Sequence, residues 1–170
     1  MNHTYFMRQA LVEAQKALAS GEFPVGCVIA HPQGVLVTGS RENSFAGAVN
    51  EIDHAEIVAL RRLARLEHKP DANDITLFCT MEPCLMCFGA ILLAGIRKIV
   101  YAYEDVMGGG LQCDLQALTP LYRDLPIEIT ANVLRQESLA LFKTFFENPH
   151  NGYWQGSLLA EYTLNLQPEA

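Results

Sequence analysis

The stretch TMEPCLMCFGA, Thr80 to Ala90, constrains this chain more than any other. Upstream of it, Ile75–Thr80 reads as a short apolar β-strand. Downstream, Cys84–Ala94 reads as a helix that is apolar nearly all round, ended by Gly95. A helix with no polar face needs cover on most sides, so it has to lie near the centre of a packed domain. Pro83 suits the edge of that helix, where its missing N–H is not needed. Cys84 and Cys87 then share one face of the first turn. Helix N-termini favour thiolates through their free N–H groups and their dipole. A Cys-x-x-Cys pair in this setting is either a redox dithiol or half of a metal site.

Helices and strands alternate around this centre. Phe6, Ala10, Leu11, Ala14 and Leu18 recur at helical spacing, which predicts an amphipathic helix over residues 4–20, stopped by Ser20-Gly21. Val25–Ala30 and Val35–Ser40 are β-rich runs joined by a turn sequence, HPQG, and predict a hairpin. SFAGAVNEID reads as a loop. Asp53 is then the expected N-cap of a helix from His54 to about Leu66, with Ile57, Leu60, Leu63 and Ala64 on one face. Lys98–Ala102 and Ile127–Ala131 read as strands, VMGGG as a flexible loop, and Arg135–Glu147 as a last long helix. The alternation argues for an α/β layered domain over residues 1–147. The extension 148–170 carries Tyr153, Trp154, Leu158, Leu159, Tyr162 and Leu164, enough apolar surface to pack on the body or on a dimer partner.

The 170 residues suit one domain with a real core, and half of them are apolar. No run of 18 apolar residues suggests a membrane span, and the N-terminal stretch does not read as a signal peptide. A cytoplasmic protein is the expectation. Five cysteines, an odd number, argue against a disulfide framework. Cys27 and Cys79 lie in strand-like runs and read as buried thiols. The net charge of −7 is a poor footprint for gripping a phosphate backbone. Arg61, Arg62, Arg65 and Lys69 cluster on one predicted helix, most simply as a solvated face.

A second motif decides between redox dithiol and metal. DHAEIVAL places His54 at the start of the other helix, with Glu56 two residues on. One imidazole and two thiolates are three zinc ligands, and three leave the fourth tetrahedral position for water, the mark of a catalytic site. Zinc lowers the pKa of such a water toward neutral. The resulting nucleophile suits attack on an amidine-like ring carbon. One carboxyl group, Glu56, can shuttle the proton to the ring nitrogen and then to leaving ammonia. The combination H-x-E with P-C-x-x-C is the signature of the zinc deaminases.

With these residues the sequence resembles the cytidine deaminase superfamily, and within it the bacterial tRNA adenosine deaminases. The resemblance covers about residues 5–147 and rests on FMRQALVEAQKAL, GEFPVGCVI, HAEIVALR, TLFCTMEPCLMCFGAI, IRKIVYA and LALFKTFF. It implies a three-layer α/β/α fold, a five-stranded mixed sheet with helices on both faces, usually as a homodimer. It implies one Zn2+ per chain on His54, Cys84 and Cys87, with Glu56 as the catalytic proton shuttle. It also implies that Asn43, eleven residues before His54, hydrogen-bonds the target base, and that Val25 and the Phe23-Pro24 segment wall its pocket. The backbone N–H of Ala55, and the carbonyl of Thr80 or its neighbours Glu82 and Pro83, would meet the ring and its amine.

The implied reaction is conversion of adenosine to inosine at the wobble position of a tRNA anticodon loop. Three departures from the family pattern stand out, and the last favours a free nucleobase, nucleoside or nucleotide as the alternative substrate. NEIDHAE replaces the more usual DPTAHAE. EDVMGGGLQCDL replaces the usual loop and is expected to face the substrate as a lid. From Asn148 onward there is no lysine or arginine, where the tRNA enzymes often carry a basic tail.

Overall fold

The computed structural model describes residues 1–44 and 50–167. Part of the expected SFAGAVNEID loop, residues 45–49, lies outside them. Five strands form one mixed sheet in the order β2-β1-β3-β4-β5: β1 Gly26–His31, β2 Gly34–Ser40, β3 Thr76–Met81, β4 Lys98–Tyr103 and β5 Glu128–Thr130. β1 pairs antiparallel with both β2 and β3, while β3–β4 and β4–β5 are parallel. The helices are α1 His3–Ala19, α2 Ala55–Ala64, α3 Leu85–Leu93, a single turn α4 Pro120–Arg123, α5 Arg135–Glu147 and α6 Leu158–Asn165.

Side-chain alternation along the strands divides the core. Val28, Ala30, Phe78, Val100 and Ala102 face Phe6, Met7 and Ala10 of α1. Cys27, Ile29, Leu77, Cys79, Ile99 and Tyr101 lie in a larger cluster with Ala55, Ala59 and Leu63 of α2 and Phe88, Ile91 and Leu92 of α3. Helices therefore cover both faces, as expected. β3, at the middle of the sheet, is buried at every position.

Several expected boundaries move by a residue or two. The N-cap of α2 is His54, not Asp53, and it makes no side-chain cap hydrogen bond. Asp53 is otherwise engaged: its carboxylate accepts from Asn50 and Arg61. α3 likewise starts with Cys84 as an uncapped N-cap. At both helices the residue that could cap is turned toward the site. Gly39 on β2 lets α2 sit close, since a Cβ there would stand 2.2 Å from the Ala55 carbonyl oxygen.

Residues 148–167 lie against the body. Tyr103 Oη meets Thr163 Oγ1 at 2.9 Å in a buried contact. Tyr162 donates to Glu104 Oε1 at 2.7 Å, and Arg135 forms an ion pair with the same carboxylate. Lys143 donates to the Leu166 carbonyl. Helix α6 was not expected from the sequence. Its start is set by Ser157, whose Oγ accepts from the Ala160 N–H at 3.2 Å.

Candidate active site

The N-termini of α2 and α3 converge at the end of β3. This follows from chain order: β3 ends at Met81, two residues pass, and Cys84 opens α3. Binding at the carboxyl ends of sheet strands is the rule in open α/β sheets. His54, Cys84 and Cys87 meet here, their ligand atoms all within 4.8 Å of one another. His54 Nδ1 lies 3.6 Å from Cys84 Sγ and 3.5 Å from Cys87 Sγ. Zinc bonds of about 2.3 Å to sulfur and about 2.0–2.1 Å to nitrogen span a tetrahedral N···S edge of about 3.6 Å. The three residues therefore fit a zinc ion in donor chemistry and in spacing. With Nδ1 facing the sulfurs, the imidazole proton belongs on Nε2.

The electrostatics suit a cation. The Cys84 thiol is lowered to about 4 by its hydrogen bond with Cys87, against burial, and His54 adds to the shift. Burial would lower the His54 pKa, but the hydrogen bond to Cys84 and the charge of Glu56 outweigh it and raise it. Glu56, in the first turn of α2, is buried at 3% exposure. Burial pushes its carboxyl up, and His54 only partly offsets this. A raised carboxyl pKa is what a group that both takes and gives a proton near neutrality needs.

A cavity of about 350 Å³ opens beside this cluster, with His54, Cys84 and Glu56 in its wall. Phe23, Val25, Ala55, Met81 and Leu159 make it largely apolar, and Arg41, Glu51, Glu82, Asp105, Tyr153 and Trp154 supply its polar and aromatic groups. Its volume falls within the range of small-molecule sites. Phe23, Val25, Ala55 and Glu82 all lie in the cavity wall.

Asn43, Thr80 and Pro83 do not line the cavity. Asn43 is exposed on a turn at φ 60, and its N–H donates to Glu22 Oε1 at 3.0 Å. The Thr80 carbonyl accepts from Ser138 Oγ at 2.6 Å, and its Oγ1 accepts from the Gly26 N–H at 3.0 Å. The Pro83 carbonyl accepts from the Gly110 N–H at 2.9 Å.

The glycine-rich loop is tied down rather than loose. Glu82 accepts from the Leu111 N–H at 3.3 Å and the Asp105 N–H at 3.4 Å. Asp105 Oδ1 accepts from the N–H groups of Met107 and Gly108. A Cβ on Gly110 would stand 2.5 Å from the Leu85 nitrogen, so the residue is there for close approach to α3. The loop brings Asp105, Met107 and Gly108 to the cavity.

No sequence motif pointed to Arg41 or Glu51 at the site. Arg41 follows β2 directly, and its side chain is 2% exposed. Its Nη2 donates to Glu51 Oε2 at 3.1 Å and to Tyr153 Oη at 3.3 Å. Tyr153 Oη donates in turn to Glu51 Oε2 at 2.9 Å. Tyr153 and Trp154 could be noticed only as aromatics in an extension of unknown placement.

Residues 1–103 match the family described as "Cytidine and deoxycytidylate deaminase zinc-binding region". A tRNA-specific adenosine deaminase of Streptococcus pyogenes serotype M1 is 35% identical over 143 residues, 84% of this chain and 82% of that protein. One from Rickettsia typhi is 30% identical over 83% of this chain and 95% of its own. A solved structure from a study of A-to-I editing by tRNA:A34 deaminases at the wobble position superposes with a TM-score of 0.68 at 28% identity, covering 81% of this chain and 99% of that one. Zinc-ligand geometry, a buried glutamate beside it and a match across more than half the sequence agree: the chain belongs to the cytidine and deoxycytidylate deaminase zinc-binding family.

Proposed function

We propose that the protein is a zinc-dependent hydrolytic deaminase that converts adenosine to inosine at the wobble position of a tRNA anticodon loop and releases ammonia. One observation carries this reading. The His54–Cys84–Cys87 triangle opens, beside buried Glu56, onto a base-sized cavity in a chain with tRNA-specific adenosine deaminases among its relatives. Bound zinc would supply an activated water at its open fourth position. Glu56 would take a proton from that water and deliver it to the ring nitrogen beside the amine-bearing carbon, then carry the proton of the new carbon-bound hydroxyl to the amine, so that ammonia leaves as the C=O forms. The Ala55 N–H, in the first turn of α2, has no partner within the helix and is free to orient the ring. Phe23, Val25, Met81 and Leu159 exclude water around it. A loop nucleotide can reach such a pocket because its base is readily unstacked.

In this reading residues 1–147 are the catalytic unit and residues 148–170 a C-terminal extension, of which Tyr153, Trp154 and Leu159 reach the cavity. Leu85 and Leu93 on α3, 63% and 66% exposed, support a homodimer built on that helix. Cytoplasmic location fits a tRNA substrate. No helix among the described residues is long and apolar enough to cross a membrane.

A second reading is deamination of a free nucleobase, nucleoside or nucleotide. Tyr153 and Trp154 line the cavity, and no lysine or arginine follows Asn148. Ammonia release separates the two. The zinc-loaded protein is given an anticodon stem-loop with adenosine at the wobble position, and separately a panel of free bases, nucleosides and nucleotides. Turnover of the RNA is expected. Turnover confined to a free substrate would replace the first reading with the second.

A further inference from the structure

The three contacts on Glu51 come together at one oxygen. Oε2 accepts from Arg41 Nη2 at 3.1 Å and from Tyr153 Oη at 2.9 Å, and stands 3.9 Å from His54 Nε2. These partners come from the end of β2, from the residues beyond α5 and from the N-cap of α2. We propose that Glu51 is a positioning residue for the metal site: standing 3.9 Å away, it closes on His54 to accept a hydrogen bond from Nε2–H when the metal is bound, fixes the ring with Nδ1 toward the cysteines, and is itself held by Arg41 and Tyr153.

The chemistry favours this arrangement. A metal-bound histidine that donates its second ring N–H to a carboxylate has its tautomer and orientation fixed and its basicity raised. Nδ1 of His54 is committed to the sulfurs, so Nε2 is the nitrogen left to donate. Glu51 lies three residues before His54, and the backbone between them turns tightly, with the His54 N–H donating to the Ile52 carbonyl at 2.8 Å. The turn brings the carboxylate back toward the ring.

Arg41 explains why a half-exposed glutamate would stay in place. Its guanidinium is almost wholly buried, and among the described residues Nε and Nη1 have no hydrogen-bond partner. Among the described residues, Glu51 is the carboxylate within ion-pair distance of it. A buried cation holds its one counter-charge strongly, because losing that partner leaves an uncompensated charge in low dielectric. The Tyr153 ring lies over the same guanidinium, 5.7 Å from Cζ, and closes the network from the C-terminal side. The extension is thereby linked to a zinc ligand through two side chains.

The test reads zinc affinity, which does not depend on the substrate assigned above. Zinc dissociation constants are measured by chelator competition for the wild type, Glu51→Leu, Glu51→Gln and Tyr153→Phe. The expected weakening is about 10- to 100-fold for Glu51→Leu, the range for partners of this kind. Recovery should be partial in Glu51→Gln, whose amide oxygen still accepts, and the loss small in Tyr153→Phe. The absorption bands of the cobalt-substituted protein should shift in Glu51→Leu and return toward the wild type in Glu51→Gln. Zinc affinities within about threefold of wild type in both Glu51 variants would overturn the proposal. So would a loss matched by an equal fall in the melting temperature of the zinc-free protein, which marks general destabilisation. Should Glu51→Leu fail to fold, Glu51→Gln decides the matter by the same threefold criterion.

Discussion

Glu56 carries the clearest prediction at the scale of single residues. It is buried two positions after a zinc ligand, and its carboxyl is pushed up by that burial. Glu56→Gln keeps shape and hydrogen-bonding capacity but cannot shuttle a proton. It should retain about one zinc per chain by metal analysis while turnover falls by about 10²–10⁴, the usual contribution of a positioned acid–base group. A variant with full zinc and full turnover would remove Glu56 from the mechanism. The metal ligands were readable in the sequence because their information is local: two short motifs, each at the start of a helix. The cavity walls were not. Tyr153 reaches Arg41 across 112 positions of chain, and no periodicity records such a contact. Asn43 shows the opposite limit. Its spacing from His54 suits the family pattern, yet its backbone bonds to Glu22 and its side chain lies outside the cavity wall.

At the scale of elements, the strands and main helices were legible because apolar alternation and helical periodicity follow directly from burial. Helix starts were misplaced where function competes with capping: His54 and Cys84 take the N-cap positions with side chains that face the site instead of the helix. The GGG stretch read as flexible because glycine is permissive, whereas here its missing Cβ atoms admit a neighbouring backbone. Gly110→Ala places a methyl group against the first turn of α3 and should cost about 1–3 kcal/mol, seen as a lower melting temperature. A silent substitution would mean the loop moves away at little cost.

The contact between α6 and the body carries a pH dependence. Burial alone would raise the Glu104 pKa, but hydrogen bonds from Arg135 and Tyr162 outweigh it and hold the carboxyl below its ordinary value. The unfolded value is about 4.3. The stabilisation is therefore present above that pH and lost as pH falls through the lower folded value. Glu104→Gln should be less stable than wild type at pH 7 by about 1 kcal/mol, and the difference should shrink in thermal melts toward pH 3. A gap that stays constant over that range would show that the ion pair does not stabilise the fold.

For the molecule as a whole, a zinc ion held by His54, Cys84 and Cys87 would join the N-terminal ends of α2 and α3, and its removal should loosen both. Chelation should lower the melting temperature, and added zinc should raise it again with concentration, as linkage requires for a ligand of the native state. A melting temperature indifferent to zinc would place the ion outside the fold's stability. The charge of −7 bears on the substrate at this scale. Part of the basic cluster on α2 is already neutralised, with Arg61 bonded to Asp53 at 2.5 Å and Arg62 3.7 Å from Glu42. On the proposed tRNA reading, recognition would rely on the pocket and on local contacts more than on a broad positive field.

The most direct measurement is therefore inosine itself. A wobble-adenosine anticodon stem-loop is incubated with the zinc-loaded protein, with the chelated protein and with Glu56→Gln, and digested nucleosides are resolved by mass. Inosine should appear at the wobble position with the zinc-loaded wild type alone. A stem-loop left as adenosine by a zinc-loaded, folded preparation would contradict the assignment of tRNA as the substrate.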